Sequence, residues 1–147
     1  MKQTSPIEFA LANIKTNEFA TFKENYSVDK AVEIGTSISF SVADLENNIV
    51  LLDLAIECGI KKKNFLKIRV LFNYKIEIKS WENFINGNVI ILPKNLVTHL
   101  SLLSLGTLRG ILYEKLHNSE ESISKYILPL INISDLITED VEIKLEK

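Results

Sequence analysis

Cysteine is almost missing from this chain: Cys58 is the only one in 147 residues. One thiol closes no intrachain disulfide, which excludes a small secreted scaffold built on them. A basic surplus is missing too. Seventeen Lys and Arg stand against nineteen Asp and Glu, the net charge is −2 and the pI about 5.7. Nucleic-acid binders carry a clear basic excess, so electrostatics gives no case for such a partner. The one local cluster, Lys61-Lys62-Lys63, reads as a solvated turn rather than a phosphate clamp. No stretch approaches eighteen unbroken apolar residues, because His99, Ser101, Ser104 and Arg109 interrupt the most apolar region. Ahead of it, Met1–Pro6 and the run Ile7–Asn13 are too short and interrupted for a signal peptide. These absences predict a soluble, cytoplasmic chain without membrane insertion.

Catalytic and metal-binding patterns are also absent. There is no Gly-x-Ser-x-Gly elbow, no Gly-x-Gly-x-x-Gly turn and no Walker loop. His99 and His117 lie eighteen residues apart on one expected helix, about five turns, too far to share an ion. Cys58 sits among alternating apolar residues and reads as a small core hydrophobe. Gly106-Thr107-Leu108-Arg109-Gly110 lies within a helical pattern, where backbone N–H groups are already bonded, so its glycines point to close helix packing and not to phosphate. The expectation is a protein that is no enzyme and has no catalytic residues, metal or cofactor.

What is present is alternation followed by helix. A chain of this length buries roughly 70% of its unfolded surface and is read as one domain over 1–137, with a polar tail at 138–147. Residues 7–24 suggest an irregular strand anchored by Phe9, Leu11, Ile14, Phe19 and Phe22, bending at Asn13 and Asn17. Val32, Ile34, Ile38, Phe40 and Val42 alternate with a serine-lined face, the period of a half-buried strand. Asp44–Asn48 supplies turn residues, and Ile49–Ile60 and Leu66–Ile78 repeat the alternation. Short connections make these three strands antiparallel neighbours. Ser80 is placed to cap a short helix holding Trp81, Phe84 and Ile85, with Gly87 ending it. Asn118–Ser124 is a polar break, and Ser134 or Asp135 can cap a last turn.

The long helix is expected over about Pro93–Leu116. Leu96, Leu100, Leu103, Gly106 and Gly110 recur at three- and four-residue spacing, and Val97, Leu105, Leu108 and Leu112 widen that stripe. A stripe that wide needs cover on more than one side. Arg109 has no carboxylate on its own helical face. Two roles fit it, a guanidinium reaching water along its stem or a salt bridge to another element.

Around this helix the chain resembles the SecB family of export chaperones. Ile91-Leu92-Pro93 resembles the family's lead into its main helix, and Leu108-Arg109-Gly110-Ile111-Leu112 its arginine motif. Pro129, Ile131, Asn132, Ile133 and Leu136 fall on its closing signature, and Ile14-Lys15-Thr16-Asn17-Glu18-Phe19 is similar to its first strand. The glutamate after the family's arginine is Gly110 here, and Asn118-Ser119-Glu120-Glu121 replaces the family's post-helix motif. The resemblance implies an α+β fold, with a four-stranded antiparallel sheet and a long and a short helix packed on one face. It further implies an ATP-independent holdase that grips unfolded or preprotein segments in apolar grooves and assembles as a homo-oligomer, a dimer of dimers. The implied partners are unfolded polypeptide clients and either the export motor SecA or an antitoxin. The strand face, with Glu18, Lys23 and Glu24 beside Lys67, Arg69 and Lys75, is unlike the acidic SecA-docking surface of the family. The alternatives to the holdase are a chaperone of a toxin–antitoxin system and a purely structural oligomeric protein. Client-groove candidates are Trp81, Phe84, Ile85, Ile90, Leu92 and Ile133, with Trp81 on a short mobile element. Subunit-interface candidates are Leu96, Leu100, Leu103, Gly106, Arg109 and Gly110.

Overall fold

A computed structural model describes residues 7–119 and 121–145. The opening residues 1–6, position 120 of the polar break and the last two residues of the expected tail lie outside the described residues. The alternating segments form one antiparallel sheet from β1 (Phe9–Thr21), β2 (Glu33–Asp44), β3 (Ile49–Ile60) and β4 (Lys63–Ile76), in the order β1-β4-β3-β2. Asp44 accepts from the Asn47 backbone and side-chain amides to close the β2–β3 turn. Lys61 and Lys62 close the β3–β4 turn with φ of 51° and 66°, the left-handed pair of a two-residue hairpin. Gly59 keeps the space beside it tight, since a Cβ there would stand 3.0 Å from the Lys63 carbonyl oxygen and would have to push it aside. The bends expected in β1 are bulges, with the register shifting between Leu11 and Asn13 and again between Thr16 and Glu18.

Period two sends Val50, Leu52, Leu54, Ile56 and Cys58 of β3 to the same face as Leu66, Ile68, Val70, Phe72, Tyr74 and Ile76 of β4, all buried. The long helix α2 (Lys94–His117) covers that face with Leu96, Val97, Leu100, Leu105, Leu108, Leu112 and Leu116. Each large side chain removed from water there contributes about 1.5–3 kcal/mol, so this layer carries the fold. The Tyr74 hydroxyl reaches Ser104 Oγ at 2.7 Å inside the layer, which pairs two buried polar groups. α2 is long and apolar enough to cross a membrane by length and composition. Here it is a core helix, with nine of its residues buried by the rest of the chain. The fold is α+β, as the strand-then-helix order implies.

Four details differ from expectation. The short helix α1 (Ile78–Phe84) starts two residues before Ser80, whose hydroxyl bonds Glu77 Oε1 at 2.6 Å from inside the first turn. Gly87, at φ 65°, ends no helix. It turns β5 (Ile85–Asn86) into β6 (Val89–Leu92), a small hairpin. Pro93 precedes α2 as its cap residue instead of entering the first turn. The expected tail at 138–147 is a strand over Val141–Lys144, here β7, which pairs antiparallel with β6. Its charged residues hid the alternation of Val141, Ile143 and Leu145, which packs on the core.

Candidate binding surface

The surface is best built from α2 outward. Its nine buried positions leave the opposite face to Leu102, Leu103, Gly106, Gly110 and Tyr113, at the three- and four-residue spacing of one stripe. Leu102 is 53% exposed, Leu103 44% and Tyr113 52%. Between them a Cβ added at Gly106 or Gly110 would meet nothing within 4 Å. Each helical glycine costs about 1 kcal/mol relative to alanine, and nothing in the described chain requires either one. His99 meets the Phe9 ring edge-on at 5.4 Å, and the Lys115 ammonium lies 5.1 Å from the centre of the Phe19 ring. α2 therefore runs alongside β1. Between those two anchors, on the same face, β1 leaves Leu11 and Ile14 exposed.

Arg109 sits at the edge of this stripe, half-buried. Its Nε donates to the Leu128 carbonyl at 3.3 Å, so among the described residues its partner is backbone and not a carboxylate. Of the two expected roles, the salt bridge is not seen among the described residues; the half-buried side chain ties the closing segment to α2 through this one bond. A cleft of 210 Å³ opens there, lined by Arg109, Gly110, Leu112, Tyr113 and residues 126–128. Behind the clamp, Tyr126 packs edge-on against Phe65 at 5.1 Å and donates to Cys58 Sγ at 3.5 Å. Burial pushes the Cys58 thiol and the Tyr126 phenol upward, so both are neutral where they meet. On either side of the clamp the segment turns Ile127 and Leu130 outward, 65% and 84% exposed.

The structure divides the expected interface residues. Leu103, Gly106 and Gly110 lie on the open stripe, whereas Leu96 and Leu100 are spent on the sheet. Of the expected groove residues, Trp81, Phe84, Ile90, Leu92 and Ile133 are enclosed in the chain's own core, and Ile85 alone is exposed. Trp81, at 2% exposure, is a core residue of α1 and does not face a groove. Sequence reasoning passed over Leu102, Tyr113, Ile127 and Leu130. The signal was available for Leu102 and Tyr113, which follow the spacing of Gly106 and Gly110; Ile127 and Leu130 flank a proline in an extended segment, where no period assigns a face.

On the outer sheet face, Arg69 pairs with Asp53 through two nitrogens and Lys67 lies 3.9 Å from Glu57. These two cations answer acids of the neighbouring strand, as exposed pairs that contribute little to stability. Among the described residues no group of three or more His, Cys, Asp or Glu side chains is placed to hold a metal.

No family model matches the chain, and no curated protein matches it. A solved crystal structure of a protein of unknown function from Streptococcus agalactiae is similar at a TM-score of 0.46 and 12% identity, over 87% of this chain and 100% of that one.

Proposed function

We propose that this chain is an ATP-independent holdase of the SecB type, working in the cytoplasm as a homo-oligomer arranged as a dimer of dimers. It binds by shape and apolar contact, without chemistry. The observation that carries this reading is the open stripe of α2, where Leu102, Leu103 and Tyr113 flank two glycines that no intrachain contact requires. Contiguous exposed apolar surface of this kind marks an interaction site. The glycine strip suits a close-packed subunit contact, with Leu11 and Ile14 of β1 continuing it. Ile127 and Leu130, on an extended segment held by Arg109, suit transient clients. Each such anchor contributes about 1.5–3 kcal/mol when fully buried, enough for several to hold a client without specific hydrogen bonds. Clients are unfolded polypeptides, preproteins or an antitoxin among them; for preproteins, SecA is the protein that takes delivery. The test is aggregation of a chemically denatured client followed by light scattering. Suppression at a stoichiometric ratio supports the holdase, and an unchanged aggregation curve overturns it.

A second reading has an observation of its own. Five of the six expected groove residues are enclosed within the protomer, which leaves less surface for clients and favours an obligate oligomer, structural or linked to a toxin–antitoxin pair. Light scattering after size exclusion, with an apolar dye titrated in, separates the two. A closed oligomer that binds no dye belongs to the second.

A further inference from the structure

β7 is four residues long, yet its backbone is fastened from end to end. Its register with β6 pairs Val89 with Lys144, Ile90 with Ile143, Ile91 with Glu142 and Leu92 with Val141. At one end the Leu145 amide donates to the Asn88 carbonyl at 2.7 Å. At the other the Asp140 carboxylate accepts from the Lys94 amide at 2.7 Å, at the N-terminus of the 24-residue α2. Val141, Ile143 and Leu145 point the same way and are half-buried.

The opposite side of β7 is held differently. There it meets β2, and among the described residues no backbone hydrogen bond joins the two strands. Ile38, Phe40 and Val42 of β2 are themselves only half-buried. Two clefts, of 540 Å³ and 410 Å³, run along this joint between β2 and residues 136–145. β7 therefore sits in a slot with one hydrogen-bonding wall, β6, and one loosely filled wall, β2, where half-buried Ile38, Phe40 and Val42 alternate with Ser39 and Ser41 and the larger cleft is mostly polar.

We propose that this slot is a binding site for an extended polypeptide segment with apolar residues at alternate positions, and that β7 is the chain's own occupant of it. The seated segment states the chemistry of the ligand: an acidic residue over the start of α2, then apolar side chains at three alternating positions. Main-chain pairing with β6 is indifferent to sequence, so the specificity lies in the alternation. β7 can leave without drawing another element with it, because exposed Thr138–Asp140 separates it from Ile137, which is anchored in the core. Its use as a client site rests on the holdase reading; its geometry does not.

The test uses the full chain carrying Ile91→Cys and Glu142→Cys. These are register partners, and the Leu145–Asn88 bond makes theirs one of the alternate pairs whose side chains lie closer. The probe is the fluorescein-labelled peptide Asp-Val-Glu-Ile-Lys-Leu, the sequence of residues 140–145, read by anisotropy. The reduced protein is expected to bind it, and the oxidised, locked protein to bind it weaker by about tenfold or more. Full-length Val141→Ser/Ile143→Ser, which loosens the resident strand without a crosslink, is expected to bind tighter than the unaltered chain. Equal binding in the locked and reduced forms overturns the slot, and so does no binding by the loosened variant. Aggregation suppression is measured on the same samples. Lock-sensitive peptide binding without suppression removes the holdase and leaves the slot; suppression together with peptide binding indifferent to the lock removes the slot and leaves the holdase.

Discussion

Alanine at both Gly106 and Gly110 gives the open face of α2 two effects of opposite sign to report. Neither added Cβ meets a heavy atom within 4 Å inside the chain. On a free helix surface each replacement gains about 1 kcal/mol by removing backbone freedom from the unfolded state, so the pair adds about 2 kcal/mol to the protomer. For a chain of this size about 1 kcal/mol moves Tm by about 2–4 °C, which puts the double variant about 4–8 °C higher. In an assembly where a second copy lies along the glycine strip, the same methyl groups push two backbones apart. The mass by light scattering then falls while the midpoint of the dilute protomer rises. Denaturant titrations at two protein concentrations separate these terms, because only the assembly term depends on concentration. A higher midpoint with unchanged mass refutes the subunit contact. A lower midpoint at dilution refutes the description of this helix face itself.

Tyr74→Phe leaves Ser104 Oγ buried without its partner and is expected to cost about 1–3 kcal/mol in urea unfolding; adding Ser104→Ala should recover part of that loss. Arg109→Ala frees the closing segment, so amide exchange in residues 126–131 should accelerate and the oligomer loosen before client affinity changes. Trp81, in the core, should show blue-shifted emission that acrylamide quenches poorly and that added client leaves unchanged. Stability should fall at alkaline pH. Burial raises the Cys58 thiol above its ordinary 9.0 and the Tyr74 and Tyr126 phenols above 10.0, so their contribution is complete below the lower value and is lost as pH climbs and the unfolded chain ionises first. Cys58→Ala should delay the onset of that loss toward the tyrosine range, as followed by midpoints across a pH series.

Legibility in the sequence tracked how local each element's cause was. β2, β3 and β4 follow from a period of two with short turns, and their bounds differ from the alternating runs by a residue or two at most ends. The start of α1 is masked because Ile76 and Ile78 continue the alternation of β4, which carries the strand pattern into the helix and leaves Ser80 as the first visible cap signal. β7 was invisible for a different reason. A strand of four residues has no stability alone, and the edge that holds it lies about fifty residues earlier in β6. Arg109 shows the same limit: its partner is a carbonyl nineteen positions away, which no side-chain pattern announces. The expected groove residues are enclosed for the same reason: β7 is part of what covers β6, where Ile90 and Leu92 sit.

The two edges of the large sheet are managed in opposite ways, and the difference bears on the slot. β1 protects its own edge with two bulges and with Lys15 and Glu18 in the strand, devices that twist or charge an edge against pairing. β2 has neither along its length: Ile34 through Ala43 carry no charge, and its register breaks only after Val42. Such a strand invites another, and what lies beside it is the segment leading into and through β7. That segment brings Glu139, Asp140 and Glu142, acids that discourage a second strand from approaching while the apolar side chains stay turned in. Releasing β7 therefore uncovers two pairing edges at once, β6 and β2, in a region otherwise shielded by charge. A protein that did this freely would aggregate through its own edges. One that did it only when an extended apolar segment arrived would cover the exposed edge with the client, so self-association of the Val141→Ser/Ile143→Ser variant should fall when the peptide is added, and analytical ultracentrifugation with and without it reads that change.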